Sequence, residues 1–480
     1  MTVSAVILVT LLILGILLMT KTPVSLSLGI SGMVGLSLLK GLGYATNVLG
    51  AAPFTQTSSF TLTIVPMFIL MGMFAVRAKM AEHVFAIANR FVHKAPGGLG
   101  VATVMACAGF SAVSGSSIGT AATMSKLSVA EMRQNGYPAS LATAIVAVAG
   151  TLGVMIPPST FLVLYAIMAN LSVAAMLAAG ILPGLLSALA YIVYIMVLGH
   201  RKIGKSTDTD DLALAVATAH RAAAEIANGS TGQVGSTATM TRAGATDPAR
   251  QVPLRELPWR GVVRIAVLFT IVLGGMYSGV FTSTESAAIG ALAALLMLIL
   301  ENRREGVRKI LENFKGALQD TSATTSMVFM IIVGSALLSA FFIAAKVPDS
   351  ITTWVSDLNL PPMLTMALLL LCLIPLGMVL ESLSILIISV PILLPIALEF
   401  GFNGIWLGII IVKLIEIGMV TPPVGINCFV VAGATGVRTE TVFKGVLPLF
   451  SIDILITTVL FLVPAITLFL PSLVQSSSGG

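Results

Sequence analysis

Charge is scarce in this chain. Only 10% of its 480 residues are Asp, Glu, Lys or Arg, against 57% hydrophobic, and the mean hydropathy is +1.03. Soluble globular domains carry roughly a quarter charged residues, so that class is excluded. Histidine is scarcer still. His83, His93, His200 and His220 all fall in loops or polar stretches, which argues against a histidine-built intramembrane enzyme, haem site or zinc site. Cys107, Cys372 and Cys428 stand singly in apolar context. They have neither disulfide nor metal-ligand spacing and read as small buried hydrophobes. The short alternating segments of a β-barrel are missing too. The net charge of +6 comes from basic residues between apolar runs rather than from a basic patch, so no nucleic-acid partner is expected.

What is present is one hydrophobic run of spanning length after another, which predicts an all-α polytopic protein embedded in a lipid bilayer. Crossings are expected at 3–20, 24–39, 61–77, 139–172 (broken), 173–198, 260–281, 284–300, 323–345, 403–436 (broken) and 446–470. The first run has no basic segment before it and no small-residue cleavage site after it, so it reads as a retained span. Two other apolar stretches behave differently. Residues 98–134 reach Ser114-Gly115-Ser116-Ser117 and return to Glu131 and Arg133; residues 362–400 reach Glu381-Ser382-Leu383-Ser384 and return to Glu399. Each reads as a re-entrant hairpin with a small polar tip, tolerated at membrane depth only where it is buried or faces a cavity.

A repeat organises the chain. Pro157-Pro158 and Pro422-Pro423 interrupt two apolar helices, and 422 − 157 = 265. Gly136 and Gly401 repeat the same separation upstream. Adjacent prolines remove backbone donors and break a helix, and broken helices at matching places in two halves point to a transporter binding site. The loop charges supply the sense of the repeat. With the N-terminus outside, cytoplasmic segments 77–97, 199–259 and 301–322 hold most of the basic residues, while external segments 40–60 and 346–361 hold only Lys40 and Lys346. Five crossings then precede the long segment, so the second half enters with opposite polarity and both termini lie on the outer, periplasmic side.

The expected division is therefore 1–97, scaffold helices and cytoplasmic arm of repeat 1; 98–172, its hairpin and broken helix; 173–198, a connecting span; and 199–259, a cytoplasmic linker with a surface helix at Leu212–Asn228. The second half follows as 260–361, scaffold helices and arm; 362–436, hairpin and broken helix; and 437–480, last span and tail.

Breaks expose carbonyls and half-helix N-termini. Carbonyls with Ser and Thr hydroxyls suit a hard monovalent cation, and N-termini suit a carboxylate. Pairing each tip with the break of its own half places one cation site at Ser114, Ser116, Gly153 and Pro157, and a second at Gly377, Glu381, Ser382, Gly418 and Thr421. A carboxylate substrate is placed on Ser116, Ser117, Pro158, Ser382 and Pro422. The same glycines, serines and prolines would also serve tight packing and kinks alone. Lys413 and Glu416, three apart, read as a local ion pair, with Glu416 supporting the break at Gly418. Glu285 reads as a structural helix-start residue after Thr282-Ser283-Thr284. Asp453 has no evident partner. No chain of buried carboxylates and histidines suggests a proton relay, which favours sodium as the coupling ion; no organic cofactor or other metal is expected.

The segments Ser114-Gly115-Ser116-Ser117-Ile118-Gly119-Thr120, Gly150-Thr151-Leu152-Gly153 through Ser159, and Glu416-Ile417-Gly418 through Gly425 resemble the large membrane (M) subunit of tripartite ATP-independent periplasmic (TRAP) transporters. The likeness covers almost the whole chain outside 205–255. It departs at Ser283, where proline is common, and at Glu381, where aspartate is expected. The resemblance implies sodium-coupled import across the bacterial inner membrane by an elevator, in which hairpins and broken helices slide within a scaffold. It also implies two partners: a small four-helix membrane subunit (Q type) and a periplasmic substrate-binding protein (P type) delivering an organic acid. A stand-alone carrier of related dicarboxylate or ion-transporter families is the nearest alternative; a membrane-embedded enzyme or non-transporting scaffold is a more distant one.

Overall fold

A computed structural model describes residues 2–20, 22–92, 95–203, 259–347, 350, 360–380, 382–423 and 425–478. The linker helix expected at Leu212–Asn228, and Glu381, lie outside them. Among the described residues the chain is helical and contains no strand. Among the described residues seven helices are long and apolar enough to cross a membrane, and Ala139–Met155 with Thr160–Met168, bent by 41°, makes an eighth if the pair is one span.

The first half runs α1 (Val3–Met19), α2 (Val24–Lys40), α3 (Leu42–Thr57), α4 (Ile64–Arg77), α5 (Met80–Val92), α6 (Gly98–Ser114), α7 (Ser117–Met124), α8 (Ala130–Gln134), α9 (Ala139–Ala149), α10 (Leu152–Met155), α11 (Thr160–Met168) and α12 (Val173–Val197). The second runs α13 (Trp259–Tyr277), α14 (Ser283–Asn302), α15 (Val307–Ala344), α16 (Pro362–Leu371), α17 (Leu373–Val379), α18 (Ser382–Glu399), α19 (Gly404–Val420), α20 (Ile426–Thr435), α21 (Thr439–Leu462) and α22 (Pro464–Ser478).

The 265-residue register holds in backbone detail. Gly41 precedes α3 with φ 92° and ψ 158°, and Gly306 precedes α15 with φ 93° and ψ 161°, a region reserved for glycine. Gly136 and Gly401 turn at φ 81° and 78°, and both Pro-Pro peptide bonds are cis. From Ala139 and Gly404 onward, the broken helices and the long helices that follow keep step to within a residue or two.

Three expectations are corrected. The external segment 40–60 is largely the helix α3, an apolar run ending at Thr57. The segment 301–322 is mostly helical, because α15 continues unbroken for 38 residues, about 57 Å at about 1.5 Å per residue. The run 446–470 is two helices: α21 stops at Leu462, Val463 leaves helical geometry at φ −122° and ψ 74°, and Pro464 starts α22, as proline at a first helical position does.

Scaffold helices pack through small residues, as lipid-embedded helices must. A Cβ on Gly32 of α2 would lie 2.5 Å from the Leu338 amide nitrogen of α15, and one on Gly334 would lie 2.2 Å from the Ser25 carbonyl. At one rim Arg77 meets Asp320 at 2.5 Å and Lys79 meets Glu305 at 3.0 Å. Segments placed on the same side of the membrane by their charge thus lie against each other. The hydrogen bond that Lys79 donates to Glu305 raises the pKa of its ammonium above the usual range.

The hairpins pack in an exchanged pattern. The first arms lie on the leading half of their own broken helix, α6 on α9 and α10, α16 and α17 on α19. The returning arms also reach across: α7 packs on α20 of the other repeat, and α18 packs on α11 as well as on α19 of its own repeat. Contacts exchange between repeats as a pseudo-twofold relation requires.

Candidate functional site

At the first tip, α6 ends at Ser114 and Gly115 turns the chain at φ 58°. Extended Ser116 then caps α7, its Oγ accepting from the Gly119 amide at 3.2 Å. The Ser114 and Thr120 hydroxyls are 2.9 Å apart. Thr160, just past the break, donates to the Gly115 carbonyl at 3.2 Å. The break comes after Met155, where Ile156 turns extended; Ser159 then caps α11, accepting from the Leu162 amide at 3.4 Å and donating to the Val154 carbonyl.

Tip and break meet backbone to backbone. A Cβ on Gly153 would lie 3.1 Å from the Ser116 carbonyl and 3.2 Å from Ser111 Oγ; one on Gly115 would lie 3.2 Å from the Pro158 carbonyl. The structure therefore gathers Ser116, Gly153 and Pro158, with Ser114 two residues before Ser116 and Pro157 in the break itself.

The second site repeats this with a closer approach. A Cβ on Gly377 would lie 2.8 Å from the Gly418 Cα, and one on Gly418 would lie 2.6 Å from the Gly377 Cα. Two helices touch here without an intervening side chain. Ser382 opens α18 and is buried. Thr421 ends α19 in extended geometry, its hydroxyl donating to the Ile417 carbonyl at 2.5 Å. Pro422 is exposed.

Several buried hydroxyls among the described residues have no hydrogen-bond partner, and Ser111 Oγ and Ser382 Oγ are the two that lie near the hairpin tips, although buried polar groups are normally satisfied. One lies against Gly153 and the other opens the returning arm at the second tip. Ser382 was expected, and Ser111 was not. Its i,i+3 spacing from Ser114 puts both on one face of α6, a pattern too common to single it out from sequence. The pairing of each tip with its own break holds for the glycine contacts but is incomplete. Ser117 belongs to the first tip, and its hydroxyl donates across to Met419 Sδ at 3.4 Å, beside the second break.

The supporting carboxylates also resolve. Glu285 completes a capping box with Thr282, accepting the Thr282 amide at 2.8 Å. Lys413 Nζ donates to Glu416 Oε2 at 3.0 Å, the pair expected from spacing. Asp453 does have partners: Lys413 Nζ at 2.7 Å and the Tyr191 hydroxyl at 2.5 Å. Forty residues and a helix change separate Asp453 from Lys413, so no local pattern exposes that contact. Among the described residues no group of His, Cys, Asp and Glu has the makings of a transition-metal site.

The arrangement suits a carboxylate ligand with a hard cation, and the comparisons agree with a transport role. Residues 11–466 match the family described as "Tripartite ATP-independent periplasmic transporter, DctM component". The C4-dicarboxylate TRAP transporter large permease protein DctM of Pseudomonas aeruginosa is 32% identical over 452 residues, covering 93% of this chain and 94% of that one. The sialic acid TRAP transporter large permease protein SiaM of Vibrio cholerae is 27% identical, covering 95% and 96%. In fold, the YdaH transporter of Alcanivorax borkumensis superposes with a TM-score of 0.57 over 88% of this chain and 89% of that one, at 12% identity. These sequence relatives are transport permeases and not enzymes. The chain is a multi-pass membrane protein that belongs to the DctM-component family of tripartite ATP-independent periplasmic transporters, as one of its large permeases.

Proposed function

We propose that this chain is the membrane permease of a sodium-coupled importer of organic acids in a bacterial inner membrane, working with a small four-helix subunit and a periplasmic binding protein. The observation that carries the reading is the pair of tip-and-break contacts, Ser116 against Gly153 and Gly377 against Gly418, with an unsatisfied buried hydroxyl in each hairpin, Ser111 in the first and Ser382 in the second. An unsatisfied hydroxyl beside exposed backbone carbonyls is what a hard cation completes. The relatives' printed substrates, C4-dicarboxylates and sialic acid, are carboxylates, and a bound cation offsets the charge of such a substrate. The site residues are Ser111, Ser114, Ser116, Gly153 and Pro157 for one ion, and Gly377, Ser382, Gly418 and Thr421 for the other. Glu381 belongs to the second by position. The substrate lies between them against Ser116, Ser117, Pro158, Ser382 and Pro422. Sliding of the hairpins and broken helices against α2, α4, α14 and α15 supplies alternating access.

The test is uptake into proteoliposomes. With the small subunit and a loaded binding protein present, uptake is expected to require an inward sodium gradient, and Ser111→Ala or Ser382→Ala is expected to raise the sodium concentration for half-maximal uptake about tenfold, equivalent to one lost charge-assisted contact of about 1.4 kcal/mol. Uptake by this chain alone points to a stand-alone carrier. Equal uptake in potassium removes the sodium assignment.

A further inference from the structure

Charge crowds around one turn of the scaffold, and it does not balance. From Glu301 near the end of α14 to Asp320 of α15 the chain holds four carboxylates, Glu301, Glu305, Glu312 and Asp320. Each is already engaged: Glu301 by Arg264, Glu305 by Lys79, Glu312 by Lys309 and Asp320 by Arg77. Arg303, Arg304, Arg308 and Lys315 are exposed and have no ion-pair or hydrogen-bond partner among the described residues. The fold does not ask for them. At the 265-residue offset the matching positions are Leu38, Leu39, Gly43 and Gly50, so the first repeat builds the same turn and helix start without charge there.

The surface beside these bases is apolar. Every charged residue of α15 falls between Arg308 and Asp320. The stretch from Thr321 to Ala344, about 36 Å long, is therefore the part that crosses the roughly 30 Å hydrocarbon core, and residues 307–320 lie outside it. One side of this outer segment rests on α4: Phe314 stacks on Phe74 with ring centroids 5.8 Å apart, and a Cβ on Gly316 would meet the Arg77 guanidinium at 2.6 Å. Another side is open. Val307, Leu311 and Leu318 form a row there, 71%, 60% and 41% exposed, and Arg308 and Lys315, seven apart, run beside it. Exposed leucines edged by arginine and lysine suit the boundary between acyl chains and headgroups, where the stems cover apolar surface and the charged ends reach outward. Water is a poor neighbour for the leucines, and hydrocarbon for the arginines.

We propose that Arg303, Arg304, Arg308 and Lys315 form a binding surface for anionic phospholipid headgroups of the leaflet they face, with Val307 and Leu311 seated among the first acyl carbons. The planar donors of arginine pair bidentately with phosphate oxygens. A lipid of net negative charge also supplies the charge that the carboxylates of this rim have already given elsewhere. The surface belongs to the scaffold, since α15 packs along α2 and α4, and bound lipid fixes the depth of that frame in the bilayer. This stands independently of the transport and sodium assignments.

Lipid binding to the full chain tests it. The delipidated protein in detergent is titrated with dioleoylphosphatidylglycerol and, separately, with dioleoylphosphatidylcholine, and bound lipid is counted by native mass spectrometry. Phosphatidylglycerol is expected to bind at least about tenfold more tightly, as several bases close to one anionic headgroup imply, and the preference should shrink as salt rises. The variant carrying Arg303→Gln, Arg304→Gln and Arg308→Gln should lose the preference. A control carrying Lys126→Gln, Arg201→Gln and Lys444→Gln removes three exposed charges elsewhere and should keep it. A second arm needs no variant and decides the matter if the first one fails to fold: in vesicles, phosphatidylglycerol with a diazirine beside its headgroup should cross-link to the wild-type chain within residues 303–318. Equal affinity for the two lipids, equal loss in the two variants, or cross-links confined to other segments overturns the proposal. Displacement of the lipid by equimolar inorganic phosphate overturns it in favour of a free-anion site. Loss of the cross-link when the small membrane subunit is co-reconstituted overturns it in favour of a protein contact.

Discussion

At the scale of single residues, the second site depends on two positions having no side chain. The Gly377 and Gly418 backbones occupy space that any Cβ would need. Neither neighbour is the flexible end of a side chain, so relief requires moving a helix. Gly418→Ala is expected to cost about 1–3 kcal/mol, as overpacking does, and to lower the apparent Tm of the detergent-solubilised protein while reducing uptake. Gly433 of α20 is the control, because nothing lies within 4 Å of its missing Cβ. Gly433→Ala should be neutral or stabilising by up to about 1 kcal/mol through helix propensity alone. Equal behaviour of the two variants would show that the close contact is not needed. Gly418 was legible because it precedes a Pro-Pro break, and Gly153 was legible from its place in the repeat. Ser111 was not, because one serine in an apolar helix looks like any other until its burial and lack of a partner are seen.

Between helices, the buried cluster fixes α19 to α21 and α12. Lys413→Met removes the positive charge that two carboxylates face, and stripping one partner from a buried ion pair costs about 3–5 kcal/mol. A marked loss of folded protein is expected, read by size-exclusion recovery and thermal unfolding. Adding Asp453→Asn to Lys413→Met should restore much of it, since one stranded charge goes with its partner; a double variant no better than the single one argues that Lys413 acts by packing volume. Element boundaries were legible in proportion to the chemistry that sets them. Paired prolines, the Thr282-Ser283-Thr284 start before Glu285, and the turn glycines Gly136 and Gly401 marked starts and stops well. Charge misled at 301–322, where exposed polar residues suggested a loop although helix formers such as Leu311, Glu312 and Lys315 carry α15 straight through. Polarity reports solvent exposure, and a helix leaving the bilayer keeps its backbone hydrogen bonds.

At the scale of the whole molecule, the question is which groups of helices move against each other. Each hairpin touches the scaffold: Gly72 of α4 faces the Ser114 carbonyl, where a Cβ would lie 2.7 Å away, and Ser335 of α15 donates to the Ile387 carbonyl of α18 at 3.1 Å. The first contact is made at the tip that meets the first break, and the second belongs to the returning arm that also packs on α11. A sliding transport unit must release both contacts in each cycle, whereas a carrier that only opens and closes its tips can keep them. Replacing Cys107, Cys372 and Cys428 by alanine or serine and introducing Ser335→Cys with Ile387→Cys makes the second contact lockable by a short bifunctional thiol reagent. Cross-linking is expected to abolish uptake in the reconstituted system and a cleavable linker to restore it on reduction, with binding-protein docking unaffected. The same linker between two scaffold positions, Gly29→Cys on α2 and Leu337→Cys on α15, whose side-chain space already meets at 3.6 Å, should leave uptake intact. Full transport with α15 held to α18 would refute the sliding mechanism while leaving both tip-and-break sites in place.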